Sequence, residues 1–194
     1  MPILRASNNT LSSITALPFA TGGLVKLNTT TASNISSIIY NNSLITSTYD
    51  VYKIIYTQFA PVTNDITLRC KVSTDNGSNF LTFENGRRYN GINNSNHANQ
   101  NGITSGGLMM GMNLKSDSSA GEMSGEFTVA GVNNSTGNKH AWGKAVFDAA
   151  SDTNRYWQDQ GSIVTSHSTI NYMEIECSSG NISTGIFVLY GLVK

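Results

Sequence analysis

Ile66, Leu68, Cys70 and Val72 share one parity of the chain, and Thr67, Arg69, Lys71 and Ser73 share the other. Successive side chains of a strand point to opposite faces, so this alternation predicts a half-buried strand with a wet outer side. Tyr49-Asp50-Val51-Tyr52-Lys53-Ile54-Ile55-Tyr56 opens a strand before it, running to Phe59 and stopped by Ala60-Pro61. Asp75-Asn76-Gly77 follows and tolerates positive φ, which predicts a tight turn. Strands are also predicted at Gly23 to Asn28, Leu108 to Leu114, Glu122 to Val132, His140 to Phe147 and Thr169 to Cys177. Ala32 to Tyr40 has the spacing of a helical turn, but its β-branched residues tip it to a strand or irregular edge. In the stretch 140–147, Ala141, Gly143, Ala145 and Phe147 fall opposite Trp142, Lys144 and Val146, a small-residue face suited to packing on a second sheet. Asn133 to Asn138 reads as a hairpin loop, and Gly161 predicts a bend or bulge between Arg155–Gln158 and Ser162–Thr165. Gly185 to Val193 is apolar on both parities, which predicts a central strand covered on both sides.

Roughly eight to ten strands at 10–15-residue spacing, with no amphipathic helix, predict an all-β chain, an antiparallel β-sandwich or jelly roll. No tandem repeat of fixed period points to a propeller or solenoid. Residues 1–9 read as a short extended N-terminal arm, and 10–194 as a single β-sandwich domain. Within it, Asn85-Gly86, Asn90-Gly91, Asn101-Gly102 and Gly106-Gly107 punctuate a segment that reads as a long loop region, 86–113, either functional or mobile.

Composition narrows the function. Charged residues make up only 12% of the chain and balance to zero, with Arg87-Arg88 the longest basic run. Nucleic-acid binding needs clustered positive charge, so it is disfavoured. Asn, Ser, Thr and Gly take the place of charge, a surface common on extracellular and virion proteins. Aromatic residues spread over the whole length argue against disorder. The N-terminal residues carry no apolar signal segment and no stretch reaches bilayer length, so no membrane partner is expected and any exit from a cell would go by a route such as lysis. Cys70 and Cys177 lie on core parities and read as free buried thiols, with a disulfide across the core as the alternative.

No dinucleotide, P-loop, zincin or nucleophile-elbow motif occurs. His97, His140 and His167 are scattered. Asp148, Asp152 and Asp159 beside Tyr156 and Trp157 have the residue types of a glycosidase pair, but a solvated loop beside a hairpin is the simpler reading. Asp75-Asn76-Gly77-Ser78 lacks the spaced oxygens of a calcium loop. Neither catalytic residue, metal site nor cofactor is predicted, and the chain reads as a non-enzyme. Trp142, Tyr156 and Trp157, with the Asn-rich stretch 93–101, are candidate glycan contacts, because aromatic faces stack on sugar rings and amides bond hydroxyls. The same aromatics would serve in a core or a subunit interface.

Thr48-Tyr49-Asp50-Val51-Tyr52-Lys53-Ile54, Ala60 to Arg69, Ser73 to Phe80 and Gly185-Ile186-Phe187-Val188-Leu189-Tyr190-Gly191 resemble small structural proteins of tailed bacteriophages, especially of marine bacteria and cyanobacteria. The resemblance covers 48–80 and 180–191 and is absent over 86–122. It implies a β-sandwich or jelly-roll module, often trimeric, displayed on a virion. It carries no catalytic residues. A chain of this length leaves room for a module and a short arm, but not for a fibre shaft. The expected role is therefore a homotrimeric capsid decoration (cement) protein on the capsid surface, assembled in the host cytoplasm and bridging subunits of the major capsid protein. The alternative is a receptor-binding tail-fibre or head-fibre module that recognises a host surface glycan. Candidate capsid or trimer contacts are Met1, Ile3, Leu4 and Arg5 within the segment Met1 to Leu17, Met109 and Met110 in the long loop, and Phe187 and Leu189 within the strand around Ile186 to Leu192.

Overall fold

The alternating segments pair into two antiparallel sheets. A computed structural model describes residues 23–92, 97–104, 107–116, 122–150 and 155–193. The strands are β1 (Leu24–Ile35), β2 (Ser37–Tyr40), β3 (Tyr49–Pro61), β4 (Ile66–Ser73), β5 (Phe83–Gly91), β6 (His97–Thr104), β7 (Leu108–Leu114), β8 (Met123–Ala130), β9 (Lys139–Asp148), β10 (Arg155–Val164), β11 (Tyr172–Cys177) and β12 (Ile182–Val193). The larger sheet has eight strands in the order β1-β12-β3-β8-β9-β10-β5-β6, and the smaller has four in the order β2-β11-β4-β7. Among the described residues there is no helix. The protein is an all-β antiparallel sandwich. The chain crosses between the sheets at every connection except β5 to β6, β8 to β9 and β9 to β10.

Period-two patterning places the core. On β9, Ala141, Gly143, Ala145 and Phe147 are buried while Trp142, Lys144 and Val146 are exposed. From the large sheet Tyr52, Ile54, Tyr56, Phe59, Phe127, Phe187 and Leu189 point inward, and from the small sheet Leu68, Cys70, Val72, Leu108, Met110, Met173 and Ile175 do so. The Phe187 ring stacks on Tyr56 at 5.8 Å and meets Phe59 edge-on at 6.1 Å. Phe59 has the wrong parity for a strand that buries Tyr52, Ile54 and Tyr56. A bulge between Tyr56 and Phe59, with Gln58 at φ 53°, inserts the extra residue that turns it inward.

Four features differ from expectation. The segment 86–113 contains most of β5, all of β6 and most of β7. Its Asn-Gly pairs lie inside an antiparallel ladder, with Asn85 opposite Gly102 and Gly86 opposite Asn101. They resemble turns because β5 and β6 lie at the outer edge of the large sheet, where strands are polar on both sides. Gly161 makes no bend: β10 runs straight through it, in register with β9 and β5 on either side. β12 is central between β1 and β3 but is covered on one face only, since Ile186, Val188 and Tyr190 are half-exposed and Leu192 exposed. Strand β1 is also longer than the predicted six residues, running twelve from Leu24. The extended arm 1–9 lies outside the described residues.

Both cysteines are free and buried. Cys70 on β4 faces Ile175, and Cys177 on β11 faces Leu68, so the two are diagonal neighbours rather than a pair.

Candidate binding surfaces

The two outer faces differ in kind. On the small sheet Arg69 and Lys71 of β4 face Glu174 and Glu176 of β11. Arg69 Nε donates to Glu176 Oε1 at 2.7 Å, and Lys71 Nζ lies 2.9 Å from Glu176 and 3.6 Å from Glu174. The Lys71 ammonium also sits 4.0 Å over the Phe80 ring. These charges satisfy one another laterally, so this face offers little to a partner.

The outer face of the large sheet has two halves. Over β1, β12 and β3 an apolar line follows β12 between partly polar flanks. Leu24, Leu192 and Val51 form one cross-strand row, Lys26, Tyr190 and Lys53 the next, Thr29, Val188 and Ile55 the third, and Thr31, Ile186 and Thr57 the last. Leu24 is 47% exposed and Leu192 39%. With rows two residues apart and strands about 4.8 Å apart, these four rows, polar flanks included, cover roughly 20 by 14 Å.

Over β8, β9, β10 and β5 the face is mixed, a charged row set among the exposed side chains of Trp142, Val146 and Ile163. Glu126, Lys144, Asp159 and Arg88 stand side by side in one cross-strand row, alternating in sign. Glu126 also pairs with Lys53 of β3 at 2.7 Å. The next row holds Trp142, Gly161 and Gly86, and the one after it His140, Ile163 and Glu84. Trp142 is 49% exposed. A shallow open depression lies over Gly161 and Gly86, bordered by His140, Ile163 and Glu84. Trp157 lies on the same face beyond the charge row, with the Arg88 guanidinium 5.8 Å from its ring centre.

Of the three glycan candidates, Trp142 and Trp157 share this face about 14 Å apart. Tyr156 does not join them. It points inward and packs on Phe147 at 5.9 Å, because neighbouring residues of one strand cannot face the same side. The Asn-rich stretch 93–101 lies partly outside the described residues. The interface candidates also need correction. Met110, Phe187 and Leu189 are fully buried core residues and cannot meet another subunit. Met109 is half-buried against Arg87, and its carbonyl accepts from Gln158 Nε2 at 3.3 Å. Met1, Ile3, Leu4 and Arg5 lie outside the described residues. Of the candidate strand Ile186 to Leu192, only the parity of Ile186, Val188, Tyr190 and Leu192 faces outward, a distinction that sequence reasoning did not draw.

Among the described residues no three His, Cys, Asp or Glu side chains converge as metal ligands. Asp148 pairs with Arg155 Nε at 3.1 Å, Asp159 lies in the charge row, and Asp152 is outside the described residues. Burial raises both thiols: Cys177 is pushed up to about 12, with Glu176 adding to the effect, and Cys70 is raised further still. Neither serves as a nucleophile at neutral pH. No family model, curated protein or solved structure matches the chain.

Proposed function

We propose that this protein is a non-catalytic structural module of a tailed-bacteriophage virion, a homotrimeric decoration protein that sits on the capsid and bridges coat subunits. The observation that carries the reading is the apolar line of Val51, Ile55, Ile186, Val188, Tyr190, Leu192 and Leu24 on the outer face of the large sheet, flanked by Lys26 and Lys53. The strand order supports it as well. On this reading β1-β12-β3-β8 over β2-β11-β4-β7 is taken as an eight-stranded jelly-roll core, with β5–β6 and β9–β10 as added hairpins widening one sheet. Jelly rolls are a common architecture of viral capsid and lectin domains.

Magnitude limits how the strip would work. Its area of roughly 280 Å², from the strand spacings above, is well below the ~800 Å² per partner of a stable interface. On this reading the strip is the dry centre of a contact that further surface completes, and isolated chains associate weakly. Two measurements test it. Immunogold labelling and copy number in purified particles should place hundreds of copies on the head; a handful of copies at the tail would replace decoration with a fibre role, and none on particles would end the virion reading. Sedimentation at rising concentration should show self-association that Val188→Lys removes while the circular dichroism spectrum is kept. Self-association unaffected by Val188→Lys would exclude the strip as the contact.

A further inference from the structure

We propose that the free edge of β1, along Asn28 to Ser33, is a pairing surface for β1 of a second copy of this chain, joining two large sheets across a two-fold axis. The inference goes beyond the virion reading and does not depend on it. The edge is separate from the apolar line on β12, and it pairs copies wherever the protein resides.

The strands that end the two sheets differ in how well they are guarded. β1 and β6 bound the large sheet, and β2 and β7 the small one. An open edge is a row of unpaired amides and carbonyls, which folded proteins guard by keeping the strand short, charged, bulged or broken by proline. β2 has only four residues. β7 loses register with β4 twice, and Asn113 near its end has φ 50°. β6 is Asn-rich and interrupted by Gly102, both poor strand formers. β1 is the longest edge strand, with twelve residues, and among the described residues it pairs with β12 alone. Its own guards, Lys26 and a bulge between Lys26 and Asn28, lie in its first half. From Asn28 to Ser33 the register with β12 is unbroken, and Asn28-Thr29-Thr30-Thr31-Ala32-Ser33 holds no charge, proline or glycine.

The chemistry of this edge makes it its own complement. An antiparallel ladder has a two-fold axis at every residue pair, so a regular strand can pair with a copy of itself. Residues paired across the axis must face the same side, and Thr29 and Thr31 both lie exposed on the outer face, level with Val188 and Ile186. With Thr30 on the axis, Thr29 meets Thr31 of the second copy, a favourable cross-strand pair. Lys26, the one charge of β1, then lies opposite Asn34 and about 27 Å from its own equivalent, so no like charges are opposed. Pairing from Lys26 to Asn34 makes a contact about 30 Å long and, at the ~10 Å thickness of a sheet, about 300 Å² per copy. That is under half of the ~800 Å² of a stable interface, so isolated chains pair weakly, and copies held close together pair readily. The β12 lines of the two copies run side by side on one face, about 14 Å apart, and the pair presents twice the apolar surface of one chain.

Amide exchange resolved by NMR on the full chain tests the pairing. Alternate amides of β1 point away from β12. Between Asn28 and Ser33 these should exchange quickly in dilute protein and gain about tenfold protection as the concentration rises from micromolar to millimolar. Thr29→Lys/Thr31→Lys sets lysines of the two copies opposite each other, and Thr29→Glu/Thr31→Glu does the same with glutamates. Both variants change only exposed positions, so they should melt as the parent does and lose the concentration dependence. An equimolar mixture of the two should regain it, since each lysine then meets a glutamate. The proposal is overturned if the edge amides exchange at one rate at every concentration: a fast rate would mean that nothing covers the edge, and a slow one that the chain covers its own. It is overturned as well if the mixture stays as unprotected as either variant alone. Should a charged variant fail to fold, the parent's concentration series decides by itself. Val188→Lys reports on the β12 line and the paired charges report on this edge, so either contact can fail while the other stands.

Discussion

The hydroxyl of Tyr56 lies over Gly125: a methyl group placed on that glycine would fall 2.5 Å from the oxygen. The two residues are register partners on β3 and β8, and the backbone of β9 crowds the same position from the other side. Gly125 is therefore held by close approach. Gly125→Ala should destabilise the protein by about 1–3 kcal/mol, the range for overpacking a filled site. Tyr56→Phe removes the nearest movable atom and gives up only a 3.4 Å hydrogen bond to the Met110 carbonyl. The double variant should therefore recover part of the loss, but not all of it, because the Lys144 carbonyl stays in place. Urea midpoints of the four proteins measure the coupling; strict additivity would show that the two residues do not interfere.

The buried thiols supply a second test. Burial is the main cause of the raised pKa of Cys70 and Cys177, and the nearby carboxylates Glu174 and Glu176 add to it. Both remain protonated and shielded at pH 8. A disulfide-exchange reagent should find no reactive thiol in the native protein and two per chain in urea. Reaction in buffer should be single-exponential and no faster than global unfolding. Immediate labelling of either thiol in buffer would mean that the β4–β11 pair opens on its own.

How far the fold could be read from sequence depended on whether the two parities of a strand differed. They differ cleanly on β4, β9 and β11, and each of those strands faces as its alternation predicts. On β12 both parities are apolar, so period two could not tell Phe187 and Leu189, which are core, from Ile186 and Val188, which are surface. What distinguishes them is three-dimensional: Gly191 lies beneath the Tyr49 ring and Gly185 against Phe187, and both glycines point inward. The β5–β6 hairpin was hidden for the opposite reason, since polar residues occupy both parities at the sheet edge. Tyr156 could have been excluded from the glycan set by period two alone, as it sits next to Trp157. Gly161 was misread because a mid-strand glycine more often marks a bulge. Gly86, which lies 75 positions earlier, becomes its neighbour only in the folded sheet.

The turn after β4 gives a pH-dependent prediction. Asp75 accepts from Ser73 Oγ at 2.6 Å, from the Asn79 amide at 2.8 Å and from Asn79 Nδ2 at 2.6 Å. These bonds favour the carboxylate and lower its pKa from 3.8 to about 2. The folded pKa is depressed, so this contribution to stability is fully present above the unfolded value and is lost as pH falls through the folded one. The window is therefore about pH 4 to 2. An NMR titration should place the Asp75 midpoint near 2, and Asp75→Asn should flatten the acid limb of the stability profile over that window. A midpoint near 4 would mean that the turn is open in solution.

Lys139 donates from one ammonium to three loop carbonyls. It is fully buried at the start of β9, and its Nζ donates to the carbonyls of Asn134, Gly137 (3.1 Å) and Ser166 (2.8 Å). One ammonium thus closes the β8–β9 loop and ties it to the segment leading into β11. Burial lowers its pKa, and Asp50 partly offsets that. The folded state therefore binds this proton less tightly than the unfolded chain, so the interaction does not strengthen on acidification; the three carbonyls are what retain the charge. Lys139→Met keeps the length of the stem but leaves those acceptors without their donor, at a cost of about 2–4 kcal/mol, since hydrogen bonds to a charged group are worth about 1.5–3 kcal/mol each and the loop can rehydrate in part. The loss should appear in the global melting temperature, because the bond to Ser166 ties this loop of the large sheet to the segment that enters β11 of the small one. A variant that melts with the parent, and differs only in faster amide exchange over 133–138, would show that Lys139 orders a loop without holding the fold together.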